Sequence, residues 1–172
     1  MIHTSTNSNV FSNICKIIER ESKSTTYKFA LLRGIIDIIQ DNSPYISFSK
    51  ERVHFPLGLL IEKWMLYYYP FLESAAYIPQ INGAAKLAFG VQFQKIIFEY
   101  KNRGGYSVFY NDLKSQGIPK DLEADFVELC KQLKNTISQM PMKYIGRSVN
   151  EKYYSIFQYE RGLKSESNVS IR

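Results

Sequence analysis

The sequence predicts a mostly α-helical fold, a helical bundle of about five to seven helices with a short β element near the C-terminus. Apolar residues recur through most of the chain at the three- and four-residue spacing of amphipathic helices. Proline and glycine interrupt this spacing at intervals that suit helix ends. Strand-like composition is confined to short stretches, so an all-β or a parallel α/β fold is not expected.

Helices are predicted over residues 9–21, 25–40, 55–69, 84–102 and 119–139, with a short helix or turn over 106–115. The first carries a stripe of Val10, Ile14, Ile17 and Ile18, and the second is apolar around most of its circumference. The later helices are expected to end shortly before residues that stop helices: Pro44, Pro70, Gly104 with Gly105, and Pro141. The stripes are expected to meet in one core.

The helix that starts at Pro119 has the clearest beginning. Asp121, Glu123 and Asp125 crowd its first turns, and lysines follow towards its far end. This order complements the helix dipole. Residues 45–49 are predicted as a short extended piece or turn and 153–159 as a strand, whereas the polar tail 164–172 is expected to be loose. The domain division is therefore 1–147, helical, and 148–172, a β-leaning segment with a basic polar tail.

The composition suits a packed domain that binds something anionic. Of 172 residues 45% are hydrophobic and 15% aromatic, and the net charge is +6 with a pI near 9.2. The charge is uneven, because residues 131–172 contain eight basic and three acidic side chains. A solvated basic tail and an anion-binding surface both explain this excess.

Cysteine usage and hydropathy favour the cytoplasm. Cys15 and Cys130 are too far apart in sequence for a disulfide framework, and each lies within a predicted helix. The N-terminus lacks the pattern of a signal peptide. Glu62 and Lys63 interrupt the most apolar window, residues 55–72, so no membrane span is expected.

Several classes of catalyst are excluded by residue content. The chain has two histidines, His3 and His54, and no zinc, phosphate-loop, dinucleotide or nucleophile-elbow motif. We expect His54 to open the third helix as a cap or surface residue. The pair Glu99 and Lys101 fits half of a metal-dependent nuclease signature but lacks the upstream aspartate on a strand. A solvated pair near a helix end is the favoured interpretation, and no catalytic residue, metal or cofactor is predicted in this chain.

Four aromatic side chains, Trp64, Tyr67, Tyr68 and Tyr69, lie at helical spacing in the third helix. They are suited to stacking on unpaired bases. The same spacing is more typical of residues that pack in a core, and we favour the core.

The stretch SKSTTYK, residues 22–28, begins the second helix with hydroxyls and lysines. Ser24 or Thr25 suits an N-cap. A cap does not explain the adjacent Lys23 and Lys28, which oppose the helix dipole. A bound phosphate would reverse that conflict, so Lys23, Ser24, Thr26 and Lys28 are predicted phosphate contacts. Arg33 either continues this line of phosphate contacts or extends its charged end to solvent from a buried helix.

Gln80, Asn82 and Lys86 form a second, weaker group of predicted contacts, in a polar loop that leads into a helix. A plain loop with a capping asparagine is the favoured alternative for them.

Three stretches carry a family resemblance: SKSTTYKFALLRGIID, FPLGLLIEKWMLYYYPFL and PQING. Together with an intervening SF pair they resemble the N-terminal helical region of bacterial HNH endonuclease domain proteins of restriction type, over residues 22–101. The resemblance implies a catalytic HNH module C-terminal to this region. That module needs histidines, and none follows His54, so the catalytic half is expected to be missing from this chain.

The sequence thus predicts a DNA-binding accessory domain of a restriction-type HNH endonuclease, itself without catalysis. Double-stranded DNA is the expected partner, with a second copy or a C-terminal nuclease module as further partners. The alternative is a helical module for oligomerisation or partner docking that binds no nucleic acid.

Overall fold

A computed structural model describes residues 19, 26–49, 52–74, 87–145, 155–161 and 167–171. Its helices are α1 (Thr26–Gln40), α2 (Leu57–Glu73), α3 (Gly90–Lys101), α4 (Tyr106–Asn111), α5 (Glu123–Gln139) and α6 (Pro141–Tyr144). Its strands are β1 (Ser47–Ser49), β2 (Arg52–Pro56), β3 (Phe157–Arg161) and β4 (Ser167–Ile171). The predicted class, mostly helical with a small β element near the C-terminus, is confirmed. Apart from residue 19, which is helical, the predicted first helix and its stripe lie outside the described residues.

Helix α1 packs closely against α2. Its buried positions recur every three or four residues and include Leu31, Ile35 and Ile38. Gly34 lies at the closest approach, since a Cβ atom there would stand 2.9 Å from Cδ2 of Leu60. A larger residue at this point would have to displace the Leu60 side chain, so glycine suits the close packing of α1 on α2.

Pro70 does not end helix α2, contrary to the sequence prediction. The helix continues to Glu73, one turn beyond the proline. The missing N–H of Pro70 costs one backbone bond, whereas the last turn is supported by the Ser74 hydroxyl, which donates to the Phe71 carbonyl at 3.0 Å. Pro70 itself accepts from the Ser74 backbone N–H at 3.1 Å. Packing and these contacts at the helix end stabilise the last turn by more than Pro70 destabilises it.

Helix α3 starts later than the predicted residue 84. Residues 87–89 form a turn, in which the N–H of Gly90 donates to the Leu87 carbonyl at 2.9 Å. Its end agrees with the sequence, because Gly104 and Gly105 both adopt positive φ. The Gly105 N–H then reaches back to the Tyr100 carbonyl at 2.7 Å, as glycine caps do.

The predicted short helix over 106–115 is α4 followed by a π-helical turn, Asp112–Gln116. A 3-10 turn, Lys120–Leu122, precedes α5, so the helix starts four residues after Pro119. Pro141 follows the end of α5 as expected and opens the short α6.

The strands form one antiparallel sheet in the order β1-β2-β4-β3. Two predictions are wrong here. His54 lies within β2 and not at a helix start, and residues 167–171 of the tail are a strand and not loose. The alternating apolar residues of β4 explain its placement, since Val169 pairs with Phe55 and Ile171 with Val53.

The described helices share one core. The expected meeting of the stripes Leu31/Ile35/Ile38 and Leu60/Trp64 is confirmed, because all five residues are buried in a single cluster. Tyr68 and Tyr69 are buried with Trp64, and Tyr67 packs at the edge of the cluster. The core interpretation of these aromatic residues is therefore confirmed, and Trp64 and Tyr69, each 0% exposed, have no face open for base stacking.

Candidate nucleic-acid interface

The start of α1 is joined to the segment that leads into α3. The Tyr27 hydroxyl accepts a hydrogen bond from the backbone N–H of Ala88, with an N···O distance of 2.9 Å. The two residues are 61 positions apart in sequence. Lys28 follows Tyr27 directly, so this contact joins the turn of α1 that contains one predicted phosphate contact to the turn that leads into α3.

Buried aromatic rings fix this junction. The Tyr27 ring stacks on Trp64 with centroids 5.6 Å apart, and Phe89 meets Tyr68 edge to face at 5.1 Å. Burial raises the pKa of the Tyr27 hydroxyl, although its bond to Ala88 acts in the opposite direction. The junction is thus a neutral, rigid platform at the start of α1.

Thr26, a predicted phosphate contact, also contributes to this platform. Its hydroxyl shares a hydrogen bond of 2.9 Å with the hydroxyl of Tyr68. Burial raises the pKa of Tyr68, while the bond to Thr26 acts in the opposite direction. The Thr26 side chain therefore fixes the first turn of α1 against α2.

The first turn of α1 contains no acidic residue. The N-terminal N–H groups of a helix favour negative charge, and the nearby Lys28 does not supply it. In α5, by contrast, Glu123 and Asp125 occupy the first turn. The start of α1 shares this lack of acidic side chains with α2, α3 and α4, so it differs in this respect from α5.

Lys28 and Arg33 border the outer face of α1 from opposite edges. At about 100° per residue, they are separated by about 140° around the helix axis. The outer face between them carries Phe29 and Ile36, with 47% and 48% of their surfaces exposed. The two cations thus form two edges of one face and not a single line.

The remaining predicted contacts, Lys23, Ser24, Gln80, Asn82 and Lys86, lie outside the described residues. Most of the charge excess lies there too. The described residues hold 13 of the 22 basic side chains and 12 of the 16 acidic ones, a difference of +1 out of the total +6. Any attraction that the chain exerts on an anion therefore depends mainly on the segments next to the helices.

Cations within the helical body are largely paired. Lys63 donates to Asp41 at 2.7 Å, and Lys114 contacts Glu62. The Asp41 carboxyl has a lowered pKa, chiefly because it accepts the Lys63 hydrogen bond. The ion pairs of these lysines connect the end of α1, α2 and the turn after α4.

The alternative sites have little support. Glu99 is partly buried and Lys101 exposed on α3, and within the described ranges no three His, Cys, Asp or Glu side chains are grouped to hold a metal ion. His54 shares a 3.0 Å hydrogen bond with the Ser49 hydroxyl across the β1–β2 pair. That contact links β1 to β2 and is structural, and it does not pair His54 with a second catalytic group.

Two features escaped the sequence reasoning. Helix α3 exposes Val91 and Phe98, which are seven residues apart and therefore on the same side, at 67% and 66%. Arg33, Asp37 and Tyr67 form a polar group between α1 and α2. In the sequence, only the four-residue spacing of Arg33 and Asp37 indicated this polar group. The contribution of Tyr67 could not be predicted without knowing how α1 and α2 pack.

A comparison with protein-family models decides the family. Residues 7–172 match the model described as a Domain of unknown function (DUF8808). The chain belongs to the DUF8808 family. Searches of curated proteins and of solved structures found no match. Among the described residues of this DUF8808 domain, no helix has the length and apolarity needed to span a membrane.

Proposed function

We propose that this DUF8808 domain binds double-stranded DNA without cleaving it, through the start of α1 and the adjoining segment that leads into α3. The observation that supports the proposal is the Tyr27–Ala88 hydrogen bond of 2.9 Å, which joins the start of α1, beside Lys28, to the turn that leads into α3. The absence of acidic side chains from the first turn of α1 adds a second reason.

Backbone phosphates are the proposed target, because nothing in the described part of the interface suggests base reading. Lysines, hydroxyls and helix N-terminal N–H groups are the usual phosphate contacts of proteins. Such binding is largely independent of sequence and weakens steeply as salt rises. The proposed role is accessory: holding DNA for an HNH nuclease module, as the resemblance of residues 22–101 implies. The cysteine usage of the sequence, with Cys130 as a free thiol, fits the cytoplasm as the proposed compartment.

Salt-dependent binding of a short fluorescent duplex tests the proposal. The parent chain should bind with a dissociation constant in the range of about 1–100 µM at physiological salt. Lys28→Ala and Lys86→Ala should each reduce the slope of log affinity against log salt by about one, and the double variant by about two. Lys120→Ala, which removes an exposed lysine at the start of α5, is the matched control and should bind like the parent. Absence of binding by the parent chain would contradict the proposal.

The accessory role also excludes DNA cleavage by this chain. Purified protein should leave plasmid DNA intact with magnesium, manganese or zinc. Metal-dependent cutting that disappears in Glu99→Ala would contradict this and would support a nuclease centred on Glu99 and Lys101.

A second candidate, a protein-interaction module, is favoured by one observation. Val91 and Phe98 expose about two thirds of their surfaces on the same side of α3. Adjacent exposed apolar side chains commonly mark protein contacts. If this candidate is right, Val91→Ser with Phe98→Ser should abolish self-association or partner binding measured by sedimentation, and salt should have little effect.

A further inference from the structure

Arg33 is held in place on two sides. Its Cζ atom lies 4.4 Å from the centroid of the Tyr67 ring, so one face of the guanidinium covers the ring. Its Nε atom lies 3.8 Å from Oδ2 of Asp37. The two contacts come from different helices, α2 and α1, which fixes the side chain relative to both.

The group that holds Arg33 is itself fixed. The Tyr67 hydroxyl donates to the same Asp37 oxygen at 2.5 Å. Burial raises the pKa of Tyr67, and the Asp37 hydrogen bond raises it further. The hydroxyl therefore keeps its proton and remains a donor, so Asp37 cannot turn away from Arg33 without losing this bond.

The outer end of Arg33 is accessible. Its side chain is 68% exposed, compared with 30% for Asp37. Within the described ranges, the contacts of the guanidinium are the Tyr67 ring and the Nε contact with Asp37. The two terminal nitrogens are thus available as the two-pronged donor that fits two oxygens of one phosphate group.

Comparison with Lys63 shows what distinguishes Arg33. The Lys63 side chain is 14% exposed, and its ammonium donates directly to Asp41 at 2.7 Å. That cation is used internally. Arg33 is oriented by the Tyr67 ring and by Asp37, and its side chain remains 68% exposed.

Apolar side chains flank Arg33 on the outer face of α1. Phe29 precedes it by four residues and Ile36 follows it by three, so both neighbour it on the helix surface. Both are about half exposed. Deoxyribose carbons next to a bound phosphate would cover these side chains, and the reduced access of water would strengthen the charged contact.

We propose that Arg33 is a preoriented contact for a DNA backbone phosphate and that Asp37 and Tyr67 are its positioning residues. This inference rests on the proposed DNA-binding function and adds a specific anion contact to it. It differs from general charge attraction because it depends on the shape of the guanidinium and on its orientation.

Three variants separate shape, charge and orientation in the duplex-binding measurement. Arg33→Lys keeps the charge but loses the two-pronged donor, so affinity should fall about fivefold with an unchanged salt slope. Arg33→Ala should in addition reduce the slope by about one. Tyr67→Phe keeps the ring and the net charge but removes the bond to Asp37, and affinity should fall about twofold to threefold. Arg103→Lys is the control, because Arg103 is paired with Asp121.

Nuclear magnetic resonance of the arginine side chains gives a readout of orientation that a purely structural role would not change. In the free parent protein, the ring current of Tyr67 should shift the Arg33 side-chain signals, and Tyr67→Phe should change this shift because the ring loses its bond to Asp37. Addition of duplex should shift the terminal N–H signals of Arg33 but not those of Arg103.

The outcomes distinguish this inference from the function on which it rests. A parent chain that fails to bind duplex overturns both. If the parent binds and Lys28→Ala weakens binding, but Arg33→Lys and Arg33→Ala bind like the parent, only the Arg33 inference is wrong. If the Arg33 variants lose binding to a poly-glutamate peptide and not to duplex, the contact recognises protein carboxylates and the phosphate assignment is overturned.

Discussion

The starts of α1 and α5 are fixed in opposite ways. At α5, Glu123 and Asp125 complement the dipole, and Asp121 in the preceding turn is paired with Arg103. At α1 no acidic residue occupies the first turn, and the positioning contacts are hydrogen bonds of neutral hydroxyls, made by Thr26 and Tyr27. One helix start carries acidic side chains in its first turn, whereas the described first turn of the other carries none and is positioned by hydrogen bonds of hydroxyls.

This difference suggests a division of roles. A helix start that already carries carboxylates repels a phosphate, so α5 serves the fold. The start of α1 is rigid because rings and hydroxyls fix it, and its N–H groups keep their preference for an anion. The following predictions test the two halves of this contrast, beginning with the largest effect.

Removing the ring under the α1 junction should have the largest effect on stability. Trp64 is fully buried and stacks on Tyr27, so Trp64→Ala should lower the free energy of unfolding by about 3–5 kcal/mol. Urea denaturation measures this loss. Phe98→Ala, at a site 66% exposed, should change stability by less than about 0.5 kcal/mol, and an equal loss in the two variants would contradict the packing at the junction.

Tyr27→Phe tests the hydrogen bond that joins the start of α1 to the turn that leads into α3. The variant keeps the ring but leaves the part-buried N–H of Ala88 without its acceptor, which should cost about 1–3 kcal/mol. Hydrogen exchange at the Ala88 amide should accelerate as well. Tyr45→Phe, at a site 70% exposed, is the matched control, and unchanged exchange at Ala88 would show that the bond does not form.

Charge removal should affect the two helix starts in opposite directions. Glu123→Gln and Asp125→Asn should each cost about 0.3–1 kcal/mol at low salt, and less at high salt. Lys28→Ala removes a charge that opposes the dipole of α1, which acts in the stabilising direction, so any net loss of stability should be smaller than that in Glu123→Gln. Urea denaturation at two salt concentrations checks both, and a loss in Lys28→Ala similar to that in Glu123→Gln would contradict the contrast.

Acid should weaken the start of α5 selectively. The hydrogen bond from Arg103 holds the pKa of the Asp121 carboxyl below its ordinary value of 3.8. A lowered pKa in the folded state means that the stabilisation is present above the unfolded pKa and is lost as pH falls through the folded value. Amides at the start of α5 should therefore lose protection from hydrogen exchange at lower pH than the ordinary value, and Asp121→Asn should reduce this pH dependence.

Local patterns in the sequence predicted much of the fold. The periodic stripes, the Gly104–Gly105 cap and the acidic start of α5 each depend on neighbouring residues, and the structure agrees with them. Pro70 and His54 were misassigned because tertiary packing and strand pairing decide both positions. The alternating pattern of the short strand β4 is weak, and it could be assigned to a strand only once its pairing with β2 was known.

The candidate site was less predictable, for a physical reason. The hydroxyls and lysines of residues 22–28 were visible in the sequence, but the contact of Tyr27 with Ala88 depends on how α1, α2 and the turn before α3 pack. The support of Arg33 by Tyr67 likewise needs the helix crossing at Gly34. Such long-range contacts have no signature in a single sequence.

Duplex binding by two charge-matched double variants tests the contrast most directly. Lys23→Ala with Lys28→Ala alters the start of α1, while Lys101→Ala with Lys120→Ala removes two exposed lysines at the end of α3 and before α5. Between about 50 and 200 mM salt, the first pair should weaken binding and make the slope of log affinity against log salt shallower by about two. The second pair should bind like the parent. If the two double variants bind with the same affinity and slope, the start of α1 has no special role in phosphate binding.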